Sequence, residues 1–420
     1  MFQTRYNISF GPFLVSFTAL LCLAFLACYT VVSAIADQSF RLNTPESVRR
    51  AVQMMPGNAD YHEVLAEHLE GTGVNPDEEL RIVTELDPRE SRYWIRRSFR
   101  AEVEQNFDDA ERYLLKAYGV DHGFDPRWAL MNYYFRRGHE AEFWRFAKEA
   151  FVMSYGVPIP IFRLCLLMRD DPSLILQALQ GRRDLLSYYF QYFANLPRLS
   201  AAAAAAPELA LSADTEELPQ FITYCNQQIG QDTESALTVW NSLCRRHLLP
   251  FQELTPAGGN IITNPDLAVD TLKQGFDWKP LGGDGVSISP SPGGKGLTIE
   301  LTGQQPDHLP LMEQFVPLSP GLRYAIDFDH SFQGAAADSG LRWAVYALDS
   351  QPGAPPLATS AVLTAADGDH AQVTFEAGHR NIARLVLEYR RALGTVRWHG
   401  TIGIRRISSR ILQSAAVPGE

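Results

Sequence analysis

Hydrophobic and polar positions follow three rhythms along this chain, and each predicts a different kind of element. From Pro12 to Ala36 the sequence PFLVSFTALLCLAFLACYTVVSAIA holds no charged residue. About twenty apolar residues suffice for a helix to cross a bilayer. One membrane-spanning helix is therefore expected at 12–36, after a short tail at 1–11. From Thr44 to about Leu254 apolar residues return at three- and four-residue steps, as in Phe143, Phe146, Ala147, Ala150 and Phe151. That is the spacing of one helix face. Beyond Leu254 the period shortens to two. Leu297, Ile299 and Leu301 alternate with Thr298 and Glu300, and Trp343 and Val345 with Arg342 and Ala344. Leu385, Leu387 and Tyr389 alternate with Arg384, Glu388 and Arg390. One face is dry and one wet, in short runs punctuated by Gly, Pro, Asp and Ser, which predicts an antiparallel β-sandwich.

The expected layout is thus a helical domain at 40–254, a turn-rich linker at 255–262, a sandwich at 263–410 and a tail at 411–420. The two folded parts are expected to be separable near the linker. Local signals refine the helices. Asn75-Pro76-Asp77-Glu78 reads as an N-cap with proline at the first helical position, and Asp108 with Glu111 as a capping box. Ser200–Ala206 is an alanine run that Pro207 should break, giving a helix end and a loop. In the last strand segment Val396, Trp398, Ile402 and Ile404 should share one face.

The helical part also repeats. Ala51, Val83 and Ala117 start equivalent segments 32 and then 34 residues apart. Pro56 and Pro88 follow the first two, and the next helix opens on Tyr61 or Tyr93-Trp94; Pro126 and Trp128 follow the third. Helix, proline, aromatic-led helix resembles the tetratricopeptide repeat, whose period is about 34 residues. That resemblance implies a curved array of helix pairs that binds a protein partner. The β part carries Asn264-Pro265-Asp266, Gly275-Phe276-Asp277-Trp278, and Gln314 leading to Pro320-Gly321-Leu322-Arg323-Tyr324. This succession resembles jelly rolls of the carbohydrate-binding-module type. A repeat array joined to such a domain behind an anchor also resembles bacterial envelope proteins associated with exopolysaccharide assembly.

Charge narrows the partners. The chain is acidic, with a net charge of −11. Thirteen basic and sixteen acidic residues follow Asn260, so neither part is a basic nucleic-acid binder. The length of the apolar run favours an uncleaved anchor and the short tail before it a body outside the cytoplasm, whereas Ala34-Ile35-Ala36 fits a cleavage site. Cys165, Cys225 and Cys244 lack metal spacing and read as buried thiols, with a Cys225–Cys244 bridge as the alternative.

Candidate chemistry is that of binding. Tyr346 shares the wet face with Arg342, and Arg390 lies on the wet face of another strand. Trp278, before Lys279-Pro280, is placed as a cap on the sandwich edge. These four are the candidate ligand-binding residues. Trp343, Tyr389 and Trp398 belong to the core by alternation. Arg391 and Arg397 are possible additions to a basic patch. Asp266, Asp277 and Asp284 are turn carboxylates with no calcium-loop signature, and no metal or cofactor is expected. His62-Glu63 lacks the second histidine four residues after the first that a zincin requires, and no nucleophile elbow occurs. A non-catalytic scaffold is expected, binding protein through its repeats and a glycan or second partner through its sandwich. An envelope hydrolase or transferase with an accessory jelly roll is the alternative.

Overall fold

The computed structural model describes residues 10–196, 198–333, 339–350, 354–364 and 369–412. Most of the two predicted terminal tails therefore lies outside the described residues. The chain divides into two compact units, Met1–Gln180 and Gly181–Glu420.

The first unit holds α1 (Phe10–Arg41), α2 (Pro45–Met54), α3 (Ala59–Gly71), α4 (Asp77–Leu86), α5 (Ser91–Val103), α6 (Phe107–Val120), α7 (Phe124–Arg137), α8 (Glu140–Met153), α9 (Ile159–Met168) and α10 (Pro172–Ala178). α1 is long and apolar enough to cross a membrane. It has two halves. From Val15 to Val32 its large apolar side chains are exposed, whereas Ala36 is fully buried against Ala51 and Tyr61. Tyr61 donates its hydroxyl to Asp37 and packs on Phe40. The helix thus runs without a break from its exposed half into the array.

The repeat period lies in the helix pairs. Ala51, Val83 and Ala117 sit at the buried ends of α2, α4 and α6, and Tyr61, Tyr93 and Trp94 are buried in the following helices. A small or β-branched residue there lets neighbouring helices approach. Tyr133 and Tyr134 are core residues too. His62 is buried between Glu79 and the Pro56 carbonyl, so both ring nitrogens have structural partners. α4 starts one residue later than expected, with Pro76 at the cap position, and Asn75 accepts from the Asp77 N–H at 2.8 Å from just before it. The cap of α6 is Asn106 rather than Asp108, because Glu111 is taken by the Tyr134 hydroxyl at 2.7 Å. Gly138, in the left-handed region at φ 68°, closes α7, and the next residue's N–H turns back to the Tyr134 carbonyl.

The second unit begins with α11 (Arg183–Ala194), α12 (Leu199–Ala210), α13 (Leu218–Gln228) and α14 (Thr233–Arg245). The alanine run is a helix interior, not a helix end. Ala201, Ala202, Ala205 and Ala206 are buried, and α12 packs against α11 and α14. Pro207 lies within α12 on a half-exposed side. It removes one helical hydrogen bond, and close packing of methyl groups holds the helix through it. Cys225 and Cys244 are buried and unbridged.

After these helices come β1 (Lys279–Pro280), β2 (Val286–Pro290), β3 (Leu297–Thr302), β4 (His308–Pro317), β5 (Arg323–Gln333), β6 (Leu341–Ala347), β7 (Ala358–Thr359), β8 (His370–Glu376), β9 (Ile382–Arg390) and β10 (His399–Leu412). They form two five-stranded antiparallel sheets, ordered β1-β4-β9-β6-β7 and β2-β3-β10-β5-β8. The dry faces meet in a core centred on Trp343, which stacks on Phe328 at 4.2 Å and meets Trp278 edge-on at 6.0 Å. Two irregularities keep the alternation in phase. The register shifts between Pro310 and Met312 in β4, and between Ile404 and Arg406 in β10. The second shift brings Ile407, not residue 406, into the core beside Ile402 and Ile404. Val396 is the exception to the predicted face: it precedes β10 and is exposed.

The last helices join the sandwich directly. Trp240 of α14 is buried edge-on against Phe276 at 5.7 Å and stacks on Phe251. A side chain on Gly275, at φ 61°, would come within 2.6 Å of the Trp240 ring. Asn226 of α13 accepts from the Gly275 N–H at 3.2 Å and from Lys279 at 3.3 Å.

Candidate functional site

The wet face of the β1-β4-β9-β6-β7 sheet carries the site. Alternation sends Arg342 and Tyr346 of β6 and Arg384, Glu388 and Arg390 of β9 to this face. Cross-strand register then sets Arg342 opposite Glu388 and Tyr346 opposite Arg384. On the other side of β9, His308 is opposite Arg390 and Pro310 opposite Glu388. The β4 bulge follows Pro310, so Glu313 also reaches the wet face, opposite Val386.

Glu388 is the centre. Its side chain is only 2% exposed. One carboxylate oxygen accepts from Arg342 Nε at 2.8 Å and Nη2 at 2.7 Å, and the other accepts from the Tyr346 hydroxyl at 2.8 Å. His308 Nε2 lies 3.1 Å from that second oxygen. Burial alone would raise the Glu388 pKa. The Tyr346, Arg342 and His308 hydrogen bonds and the Arg342 charge outweigh it and hold the carboxyl below its ordinary range. Burial and the Glu388 bond push the Tyr346 phenol up in turn. A small apolar cluster of Ala344, Tyr346 and Val386 floors the face. The Arg384 guanidinium lies 5.6 Å from the Tyr346 ring centre and 3.5 Å from Glu313.

A depression of about 200 Å³ opens over these groups. Its wall includes Leu281, His308, Glu313, Arg384, Glu388 and Arg390. Arg390 is exposed and makes no ion pair among the described residues. The arrangement offers fixed hydrogen-bond donors and acceptors, one freely presented guanidinium and little open aromatic surface.

Three of the four candidate residues therefore converge: Arg342, Tyr346 and Arg390. Their roles differ from expectation. Tyr346 is 8% exposed, covered by Arg384, and works through its hydroxyl rather than as a stacking surface. Trp278 is not at the sandwich edge. It is fully buried in the core against Trp343, out of reach of a surface ligand. Tyr389 and Trp343 are core residues, and Trp398 packs edge-on against Phe332. Arg391 and Arg397 pair together on Asp307 at 2.7 and 3.0 Å instead of extending the patch. Sequence reasoning missed Glu388, His308, Arg384 and Glu313. A glutamate flanked by Leu387 and Tyr389 looks like an ordinary solvated position, and only pairing with β4 and β6 buries it. Of the turn carboxylates, Asp277 is fully buried and accepts from the Leu272 N–H at 2.7 Å. Among the described residues no three His, Cys, Asp or Glu side chains gather as a metal site.

No family model matches the chain, and no curated protein matches it. Among solved structures, PilF of Pseudomonas aeruginosa is similar at 17% identity over 52% of this chain and 91% of its own, with a TM-score of 0.25. The Clostridium thermocellum endo-1,4-beta-D-xylanase 10B, as its CBM22-1 and GH10 modules with xylohexaose, is similar at 13% identity over 37% of this chain and 30% of its own, with a TM-score of 0.23. Tailspike protein 4 of bacteriophage CBA120 is similar at 13% identity over 32% of this chain and 19% of its own, with a TM-score of 0.22. The chain spans less than a third of the latter two. At these scores the likenesses carry no functional argument, which rests on the site itself.

Proposed function

We propose that this protein is a non-catalytic scaffold of the bacterial envelope, anchored by α1 with its body outside the cytoplasm. Its tetratricopeptide-like helix pairs take a protein partner, and its jelly-roll sandwich takes a hydroxyl-rich or acidic glycan, in exopolysaccharide assembly or export. The polar depression around Glu388 carries the glycan reading. Glu388, its oxygens taken by Arg342, Tyr346 and His308, fixes the polar face in place, Arg384 adds a second guanidinium to its wall, and Arg390 stands ready for a carboxylate through charge-assisted bonds. The same geometry argues for binding over hydrolysis. A carboxyl held ionised by a guanidinium and a phenol is poorly suited to act as a general acid.

The test is a glycan array probed with the full chain in nanodiscs, comparing wild type with Arg390→Ala. Binding to uronic-acid polysaccharides should fall roughly tenfold, the value of one charge-assisted hydrogen bond. Unchanged binding places the glycan elsewhere. No binding to any polysaccharide removes the glycan reading, and cleavage of a bound polysaccharide replaces it with the hydrolase.

A further inference from the structure

The turn edge of the helical array that faces the exposed half of α1 is unusual in its chemistry. α2 runs back along α1, so its C-terminal end comes down beside the apolar segment. A cleft of about 830 Å³ is walled on one side by Phe25, Tyr29 and Val32 and on the other by Met54, Met55 and Leu86. The turns after α2 and α4 therefore lie level with residues 25–33 of α1. Contacts carry the same edge onward. Tyr93 donates to Asp60 at 2.7 Å, Ser91 donates to Asp121 at 2.8 Å, and Tyr155 packs edge-on against Phe124 at 5.8 Å. The turns after α2, α4, α6 and α8 thus form one row.

Each turn presents an apolar side chain at an equivalent place. Met54, Leu86, Val120 and Met153 end their helices at exposures of 38, 40, 41 and 42%. The last turn adds Tyr155 at 79% and Val157 at 54%, and no charged residue occurs from Ala150 to Pro158. Carboxylates occur on both edges, Asp60, Asp87 and Asp121 here and Glu70, Asp77, Glu102 and Glu104 on the opposite edge beside exposed Val74 and Val103; the uncharged last turn is what sets this edge apart. Exposed apolar groups aligned along one edge mark it as a candidate interaction surface.

We propose that this edge rests on the bilayer, with its row of apolar side chains seated in the headgroup layer. The proposal rests on the reading of α1 as an anchor. Helix length fits it. Twenty-five uncharged residues rise about 37 Å, against a hydrocarbon thickness of about 30 Å. The surplus of about five residues places 32–36 outside the hydrocarbon, so the part of the turn edge beside Val32 and Ser33 lies at its boundary and the part beside Phe25 and Tyr29 reaches below it. Tyrosine and aliphatic residues suit that depth. The four turns carry no excess of basic residues, so contact depends on apolar burial and not on anionic lipid.

Nitroxide labels on the full chain in phosphatidylcholine vesicles test this. Single cysteines are introduced as Leu21→Cys, Val120→Cys, Tyr155→Cys and Val74→Cys, with Cys22→Ser and Cys28→Ser; the other three cysteines are buried. Labels at 120 and 155 should collide with oxygen several-fold more, relative to a water-soluble nickel chelate, than the label at 74. If the label at 21 lies in lipid and those at 120 and 155 match the one at 74, the anchor stands and the seated edge is overturned. A label at 155 shielded from both probes means protein covers the edge and also overturns it. A label at 21 in water removes the anchor reading and this proposal together.

Discussion

Glu388 and Asp277 are both buried carboxylates of the same sandwich, and their acidities move in opposite directions. Glu388 sits on the wet face with Arg342, Tyr346 and His308 around it, and those donors hold it below the ordinary range despite burial. Asp277 sits beside Trp278 at the dry core with no cation. Burial pushes it up to about 6, and only the backbone N–H groups of Leu272 and Trp278 pull the other way. The difference teaches that burial alone does not set a carboxyl's charge here; the supply of donors does. A carboxylate built into a donor network is a fixed negative centre around which a polar site can form. One left to the backbone is a titratable strain on the fold.

The largest expected effect comes from removing the guanidinium. Arg342→Ala should cost roughly 3–4 kcal/mol at pH 7, because it leaves Glu388 buried without its counter-charge. A place on the wet face thus does not make Arg342 or Tyr346 dispensable to stability. Wild-type stabilisation from Glu388 is present above its unfolded pKa and lost as pH falls through the lower folded value. The variant should lose that acid limb in denaturant titrations below pH 5. An acid limb identical to wild type would contradict the network.

Asp277 has the opposite sign. A folded pKa of about 6 above an unfolded 3.8 means stability is full below about 4 and declines as pH rises through 6. Asp277→Asn, which keeps an acceptor for the Leu272 N–H, should gain about 2–3 kcal/mol at pH 8 and nothing at pH 4. Equal melting of the two proteins at both pH values would show that Asp277 is not desolvated. Tyr346→Phe should cost about 1.5–2 kcal/mol, the lower part of the range for one hydrogen bond to a charged group because Arg342 and His308 remain on the carboxylate, with Glu388 still ionised; its carboxyl signal in NMR titration is the readout. Arg390→Ala is the smallest, within about 0.5 kcal/mol because the side chain is exposed and unpaired. A larger loss would mean that Arg390 belongs to the Glu388 network.

Much of the architecture was legible because periodicity is a local property. The uncharged run, the proline-punctuated helix pairs and the dry faces of β3, β5, β6 and β9 all follow from residues within one element. What was not legible depends on distant pairing. Glu388 looks solvated until β6 and β4 flank it. Tyr346 lies on the wet face yet is covered by Arg384 from the neighbouring strand. Trp278 reads as a turn residue, but its ring reaches Trp343, sixty-five residues on in the sequence. The alanine run was misread for a related reason. Small residues signal a loop only when nothing packs on them, and α11 and α14 do.

The uninterrupted α1 has a mechanical consequence. A helix turns 100° and advances 1.5 Å with each residue. Because Ala36 and Asp37 dock on α2 and α3 while the residues before Val32 stand clear, the phase of the apolar segment dictates which way the array points. One alanine inserted after Ser33 would swing helices α2 to α10 by about 100° about the axis of the apolar segment. Anything bound to the array would swing with it. The same stiffness lets the helix act as an axle: a partner that twists the apolar segment would turn the array with no hinge to absorb the torque.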